Sequence, residues 1–350
     1  MRRTTLSFLL LLAGTLLSSL RALEPNGNGV YEISSAQDFV DFATVVNGGQ
    51  YGASAVLTKD IDMTGADVSV FPIGGSATTA RFVGTFDGQG HKFSHFVLEN
   101  VEATNYGVFN TGSGVVLKNF ILDATCSITG GELVGLIGRH DGSGEFSNVG
   151  NMAPVTGEGN NIGGFLGAIW GAGSGTTVET VFNNCWTTGN VTTKDYHAKN
   201  TDCGAISGWF NNGRFVLNNC WSMAEVAFPK SQVLYLFRYG GGAAFVYNNC
   251  YSLHGEQPSF TTLTGVTVDD LATGAVTYRL NGDQSAIAWY QTLGEDLYPV
   301  ADATHKQVYL STDCYCDGTP KGSATYNNTG GGTQDPHNFV DGFCTYCSLL

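Results

Sequence analysis

The chain has 350 residues, a formal net charge of −14, only 13% charged side chains and 48 glycines. So acidic a chain repels phosphate backbones and anionic lipid, which argues against nucleic acid or a membrane surface as partner. Abundant glycine with sparse charge is unusual for a compact α/β enzyme and suits many short strands joined by tight turns. At the N-terminus, Met1-Arg2-Arg3 leads into an apolar run over residues 6–17 and then small residues at Ser18, Ser19 and Ala22. That order is the one found in secretory signal peptides, so residues 1–22 are expected to be cleaved, leaving a secreted or cell-surface protein. No later segment reaches the ~18 uninterrupted apolar residues of a membrane span, so no transmembrane helix is expected in the mature chain.

The first predicted element of the mature chain is a helix over residues 35–46. Ser35 and Asp38 form a capping-box-like start, Phe39, Phe42, Ala43 and Val46 make one apolar face, and Asn47-Gly48-Gly49 stops it. Asp60-Ile-Asp62 alternates as a strand that exposes both acids, and Asp87-Gly-Gln-Gly-His91 reads as a glycine-rich turn; neither has the pattern of a metal or catalytic fragment.

A repeat dominates the middle of the chain. Val181-Phe-Asn-Asn-Cys-Trp186, Val216-Leu-Asn-Asn-Cys-Trp221 and Val246-Tyr-Asn-Asn-Cys-Tyr251 are three copies of one phrase. Weaker copies stand at Glu145-Phe-Ser-Asn-Val149 and Val116-Leu-Lys-Asn-Phe120. Glycine-punctuated apolar segments accompany them: Leu133-Val-Gly-Leu-Ile-Gly138, Ile162-Gly-Gly-Phe-Leu-Gly167 and Cys203-Gly-Ala-Ile-Ser-Gly208. Units of this length bury their apolar faces only against their neighbours, and fixed phrases at variable spacing favour the coils of a β-helix. Equivalent side chains then lie about 4.8 Å apart. Asn148, Asn184, Asn219 and Asn249 are expected to form an amide ladder at one corner, and Cys185, Cys220 and Cys250 to be small buried apolar residues. Trp186, Trp221 and Tyr251 should face outward, opposite the cysteines. Residues 267–281 carry a second helical pattern, expected to close the far end of the stack.

Asn184-Cys-Trp-Thr-Thr-Gly-Asn-Val191 and Ile162-Gly-Gly-Phe-Leu-Gly167 resemble the GLUG repeat of bacterial secreted and surface proteins. Phe71-Pro-Ile-Gly74 and Phe82-Val-Gly-Thr-Phe-Asp-Gly-Gln-Gly-His91 resemble the coil that precedes such repeats. The resemblance covers roughly residues 30–255 and departs at Asn219-Cys-Trp-Ser-Met-Ala-Glu-Val226, which lacks the glycine. It implies an all-β, right-handed parallel β-helix, an extracellular location and adhesin-like contact with glycan or host protein, and it transfers no catalytic residues. The expected organisation is a signal peptide (1–22), a β-helix repeat domain (23–265), a small α/β or irregular capping module (266–310) and a Cys-rich tail (311–350).

For ligand contact, aligning the coils brings Arg139-His140 beside Trp170, Trp209-Phe210 and Arg238-Tyr239. The expected binding surface is an Arg and aromatic stripe of Arg139, Trp170, Trp209, Arg238 and Tyr239, suited to stacking on sugar rings or on protein side chains. The enzymatic alternative is a polysaccharide lyase or glycoside hydrolase using Arg139, His140 and Asp141, which requires acidic side chains to converge from neighbouring coils. A structural spacer of a surface assembly is the third possibility. No cofactor is expected. In the tail, Cys314, Cys316, Cys344 and Cys347 suit two disulfides or a structural zinc site with His337 as a replacement ligand.

Overall fold

The computed structural model describes residues 22–170, 178–194, 203–211, 213–226, 243–253, 263–282, 284–313, 315, 321–333, 336, 339–340 and 343–344. Residues 1–21 of the expected signal peptide thus lie outside the described residues, as do Arg238, Tyr239, Cys314, Cys316, His337 and Cys347.

Among the described residues the fold is all-β, with parallel sheets of thirteen, six and four strands. The chain visits them in constant order. Val116–Leu122 lies in the first sheet, Ser127–Val134 in the second and Ile137–Asp141 in the third. The next circuit returns to the first sheet with Gly144–Asn151 and to the third with Leu166–Trp170. Each circuit pairs in parallel with the one before, the arrangement of a solenoid.

The repeated phrases set the register. Asn183 pairs with Asn218 and Asn218 with Asn248, while Trp186 pairs with Trp221 and Trp221 with Tyr251. The weaker copies obey the same phase, since Phe146 pairs with Phe182 and with Leu117. Register also stacks aromatic rings inside the coils: Phe146 and Phe182 lie 4.6 Å apart and nearly parallel.

The second asparagine of each phrase breaks the strand. Asn119, Asn148, Asn184, Asn219 and Asn249 all adopt left-handed backbone, with φ between 51° and 58°. Asn visits that region more readily than most side chains, which is why it recurs at this corner. The ladder runs from side chain to side chain: Asn148 Nδ2 donates to Asn119 Oδ1 and Asn249 Nδ2 to Asn219 Oδ1, both at 2.8 Å. The first asparagines form a second ladder beside it, Asn248 to Asn218 and Asn218 to Asn183, again at 2.8 Å. Glycine serves close approach between the second and third sheets, where a Cβ on Gly167 would stand 2.3 Å from the Leu133 carbonyl carbon.

Helix α1, Ala36–Asn47, matches the sequence expectation. Ser35 caps it through Asp38 N, while the Asp38 carboxylate turns back to Ser34. Phe39 sits among Phe71, Phe86, Phe93 and Phe96, which seats the helix on the interior of the first coils.

The second helical segment departs from expectation. It forms two short helices, α2 (Val268–Ala272) and α3 (Ala275–Asn281), separated at Gly274 with φ 85°. Leu271, Val276, Leu280 and Trp289 pack against Trp186, Trp221 and Tyr251, on the outer side of the first sheet. Those three aromatics do face away from the cysteines, yet they are buried rather than displayed, because the segment after the coils covers them. Cys185, Cys220 and Cys250 lie in the main core as expected.

Candidate functional site

Over its last three residues the strand Ile137–Asp141 turns His140 inward and Arg139 and Asp141 outward, which separates the three residues of the enzymatic alternative. His140 is fully buried and its ring meets Phe146 edge to face. Its Nε2 lies 3.1 Å from the Ser143 carbonyl, and its Nδ1 has no hydrogen-bond partner among the described residues. Burial pushes the imidazole down to about 4, against the opposing influence of Asp141. Arg139 and Asp141 point the other way and pair at 2.7 Å. Arg81, from the loop preceding Phe82, closes on the same carboxylate. Two guanidiniums therefore hold one carboxylate, and the histidine is turned away from both. A convergent acid and base do not arise from Arg139, His140 and Asp141.

The same strand does assemble part of the expected stripe. Arg139 is in register with Ala168 and, one coil further, Trp209. Trp170 is offset from that column and aligns with Asp141 and Asn211. The Arg139 side chain crosses the offset, placing its guanidinium carbon 4.5 Å from the Trp170 ring centre, a cation–π stack. Arg139, Trp170 and Trp209 are all partly exposed. Arg81 was not legible as part of this corner, because it sits in no repeated phrase.

The other candidates have quieter roles. Asp60 and Asp62 are exposed as expected and pair with His91 and His95 at 3.1 and 3.0 Å. Asp87-Gly-Gln-Gly-His91 belongs to the strand Thr85–Ser94 and forms a bulge in it rather than a turn. Asp87 is held below the usual carboxylate range: its burial acts upward, but hydrogen bonds from Asn119 and Gln89 and the charge of Lys118 outweigh it. In the tail, Cys344 is in register with Phe339 in a short antiparallel pair.

A groove that the sequence did not disclose lies between the asparagine corner and the segment that follows the helices. It encloses about 690 Å³, with Gln89, Asn148, Asn184 and Trp186 on the coil side and Gln284 and Tyr290 opposite. The amides come from successive coils and the facing wall from about one hundred to two hundred residues later in sequence, so no local motif marks it.

No family model matches the chain. A stretch of 157 residues, 41% of this chain, is 32% identical to halomucin of Haloquadratum walsbyi, of whose length the chain spans 2%. A solved structure from Bacteroides ovatus, named as a "putative immunoglobulin A1 protease", superposes with a TM-score of 0.51 at 18% identity. That match covers 80% of this chain and 95% of the other, and it speaks to fold alone. No helix among the described residues is long and apolar enough to cross a membrane.

Proposed function

We propose that this chain is an exported binding protein, a right-handed parallel β-helix of the GLUG-repeat kind that contacts extracellular glycan without turning it over. The observation that carries the reading is the Arg139 stack on Trp170, with Trp209 one coil beyond Ala168. A flat ring beside a guanidinium offers both a stacking face and hydrogen-bond donors to a sugar, and needs no tuned proton transfer. Its neighbours favour binding over chemistry: Asp141 is engaged by Arg81 and Arg139, and His140 is sealed in the core. The solenoid's three parallel sheets and the likeness to the Bacteroides ovatus structure support the β-helix. The leader-like N-terminus and the halomucin alignment support export to the cell surface or beyond it.

The test is a glycan array and an extracellular-matrix protein panel with residues 23–350, run beside an assay for polysaccharide depolymerisation. Glycan binding without release of reducing ends, weakened about tenfold or more by Trp170→Ala with Trp209→Ala, is the expected result. Depolymerisation, or binding indifferent to both tryptophans, overturns it.

A further inference from the structure

We infer that the groove between the asparagine corner and Tyr290 is a second, separate binding site, and that its ligand is a neutral oligosaccharide. The molecule carries a formal charge of −14, yet the residues lining this groove include no Asp, Glu, Lys or Arg. An ionic ligand would find no partner charge there, so recognition rests on neutral hydrogen-bonding groups and apolar contact.

The neutral groups are arranged in a row. Asn119, Asn148 and Asn184 descend one side on successive coils, about 4.8 Å per step. A primary amide carries two donors and an acceptor, the complement of a hydroxyl that both gives and takes a hydrogen bond; here Asn119 is engaged by Asp87 and Asn148, and Asn148 gives one donor to Asn119. The hydrogen bonds from Asn148 to Asn119 and from Asn119 to Asp87 hold two of these amides in place before a ligand arrives, which lowers the ordering cost of binding.

The row is also incomplete in itself. Asn148 is satisfied by Asn119, and Asn249 by Asn219, but Asn184 Oδ1 is buried with no hydrogen-bond partner among the described residues. A bare buried acceptor is unfavourable, and a turn of the Asn184 amide toward a ligand hydroxyl in the groove relieves it. Opposite, the partly exposed Tyr290 supplies a ring, with Gln284 beside it. A row of amides facing an aromatic across an uncharged groove fits a chain of neutral sugars better than it fits a phosphate, a metal ion or an apolar ligand.

This site shares no residue with the Arg139 corner, so the two stand or fall separately. The experiment is calorimetric titration of residues 23–350 with uncharged hexasaccharides built from glucose, mannose, galactose or xylose, each run beside an uncharged asparagine-rich hexapeptide. Two variants probe the groove. Asn184→Gly removes the amide while keeping the left-handed backbone, and Ser285→Trp fills the opposite lip, where Ser285 is exposed. Near-ultraviolet circular dichroism verifies that each retains its fold.

In protein carrying Trp170→Ala and Trp209→Ala, which removes the Arg139 corner, saturable binding of at least one hexasaccharide is expected to persist and to be weakened about tenfold or more by either groove variant. The absence of saturable binding for the whole saccharide series overturns the inference. So does binding that survives both groove variants, and so does preference for the peptide over every saccharide. Loss of all saccharide binding on removing both tryptophans, with the groove intact, assigns the glycan to the Arg139 corner, supporting the function proposed above while overturning this second site.

Discussion

The rings of Trp186 and Trp289 meet edge to face, 5.4 Å between centroids, and this contact ties the segment after the coils to the outer side of the first sheet. Trp289 also approaches Trp221, at 6.3 Å, and is itself fully buried. Trp289→Ala is expected to destabilise by about 3–5 kcal/mol, the cost of emptying a large aromatic site. The loss should be local first, because Trp289 belongs to the outer cluster and not to the coil interior. Limited proteolysis should therefore cut within residues 266–310 earlier than in the parent, with the coils still protected. Simultaneous loss of protection everywhere would mean that the segment and the coils unfold as one unit.

The asparagine corner separates a backbone effect from a hydrogen bond. Asn219 has φ 53° and accepts from Asn249 at 2.8 Å. Asn219→Ala removes the amide and places a less tolerant side chain in left-handed backbone, for an expected loss of about 2–3 kcal/mol. Asn219→Gly removes the same amide without the backbone conflict and should cost roughly 1 kcal/mol. Urea unfolding of both variants measures the difference. Equal losses would show that the side-chain ladder, and not the conformation, selects asparagine there.

Much of this architecture was legible because the repeat writes its own register. The Asn-Asn-Cys-aromatic phrase marks a corner residue, a core residue and an outward residue in succession, and all three copies pair in phase. What periodicity does not encode is what lies over the outward face. Trp186, Trp221 and Tyr251 look alike in sequence whether they greet a ligand or a later segment of the same chain, and here Leu271, Val276 and Trp289 cover them. The Arg139 corner was half legible for a related reason. Alignment brought Arg139 beside both Trp170 and Trp209, but the register that puts Trp209 in its column, the diagonal stack on Trp170 and the approach of Arg81 depend on strand pairing and side-chain reach. The amide groove was hidden because its two walls are distant in sequence.

The core thiols should be inert while the protein is folded. Burial drives the Cys220 and Cys250 thiols well above their ordinary range, and pushes Cys126 and Cys203 up to about 12. The thiolate is the reactive form, so iodoacetamide at neutral pH should leave these four unmodified in native protein and label them after denaturation. Mass spectrometry of the labelled peptides reads the outcome directly. Rapid native labelling of Cys220 or Cys250 would require the coils to open locally far more often than their packing implies.

His140 gives the fold a defined weakness to acid. Its imidazole titrates near 4 in the folded chain against an ordinary value of 6.5, because the charged form would be stripped of water in the core. As pH falls below 6.5 the unfolded chain takes up this proton first, so the stability associated with neutral His140 is complete above 6.5 and shrinks as pH approaches 4. Below 4 both states are protonated and the loss levels off, after a total on the order of 3 kcal/mol. His140→Gln stays neutral throughout and retains a donor for the Ser143 carbonyl, so its stability curve should lack this component. Urea midpoints taken between pH 4 and 7 should converge toward, or cross, those of the parent as acid is added. Parallel curves would mean that His140 keeps its proton equilibrium on folding, which its complete burial beside Phe146 argues against. Glycan binding by the same variant should be unchanged at neutral pH, since the imidazole lies on the opposite side of the strand from Arg139 and Trp170.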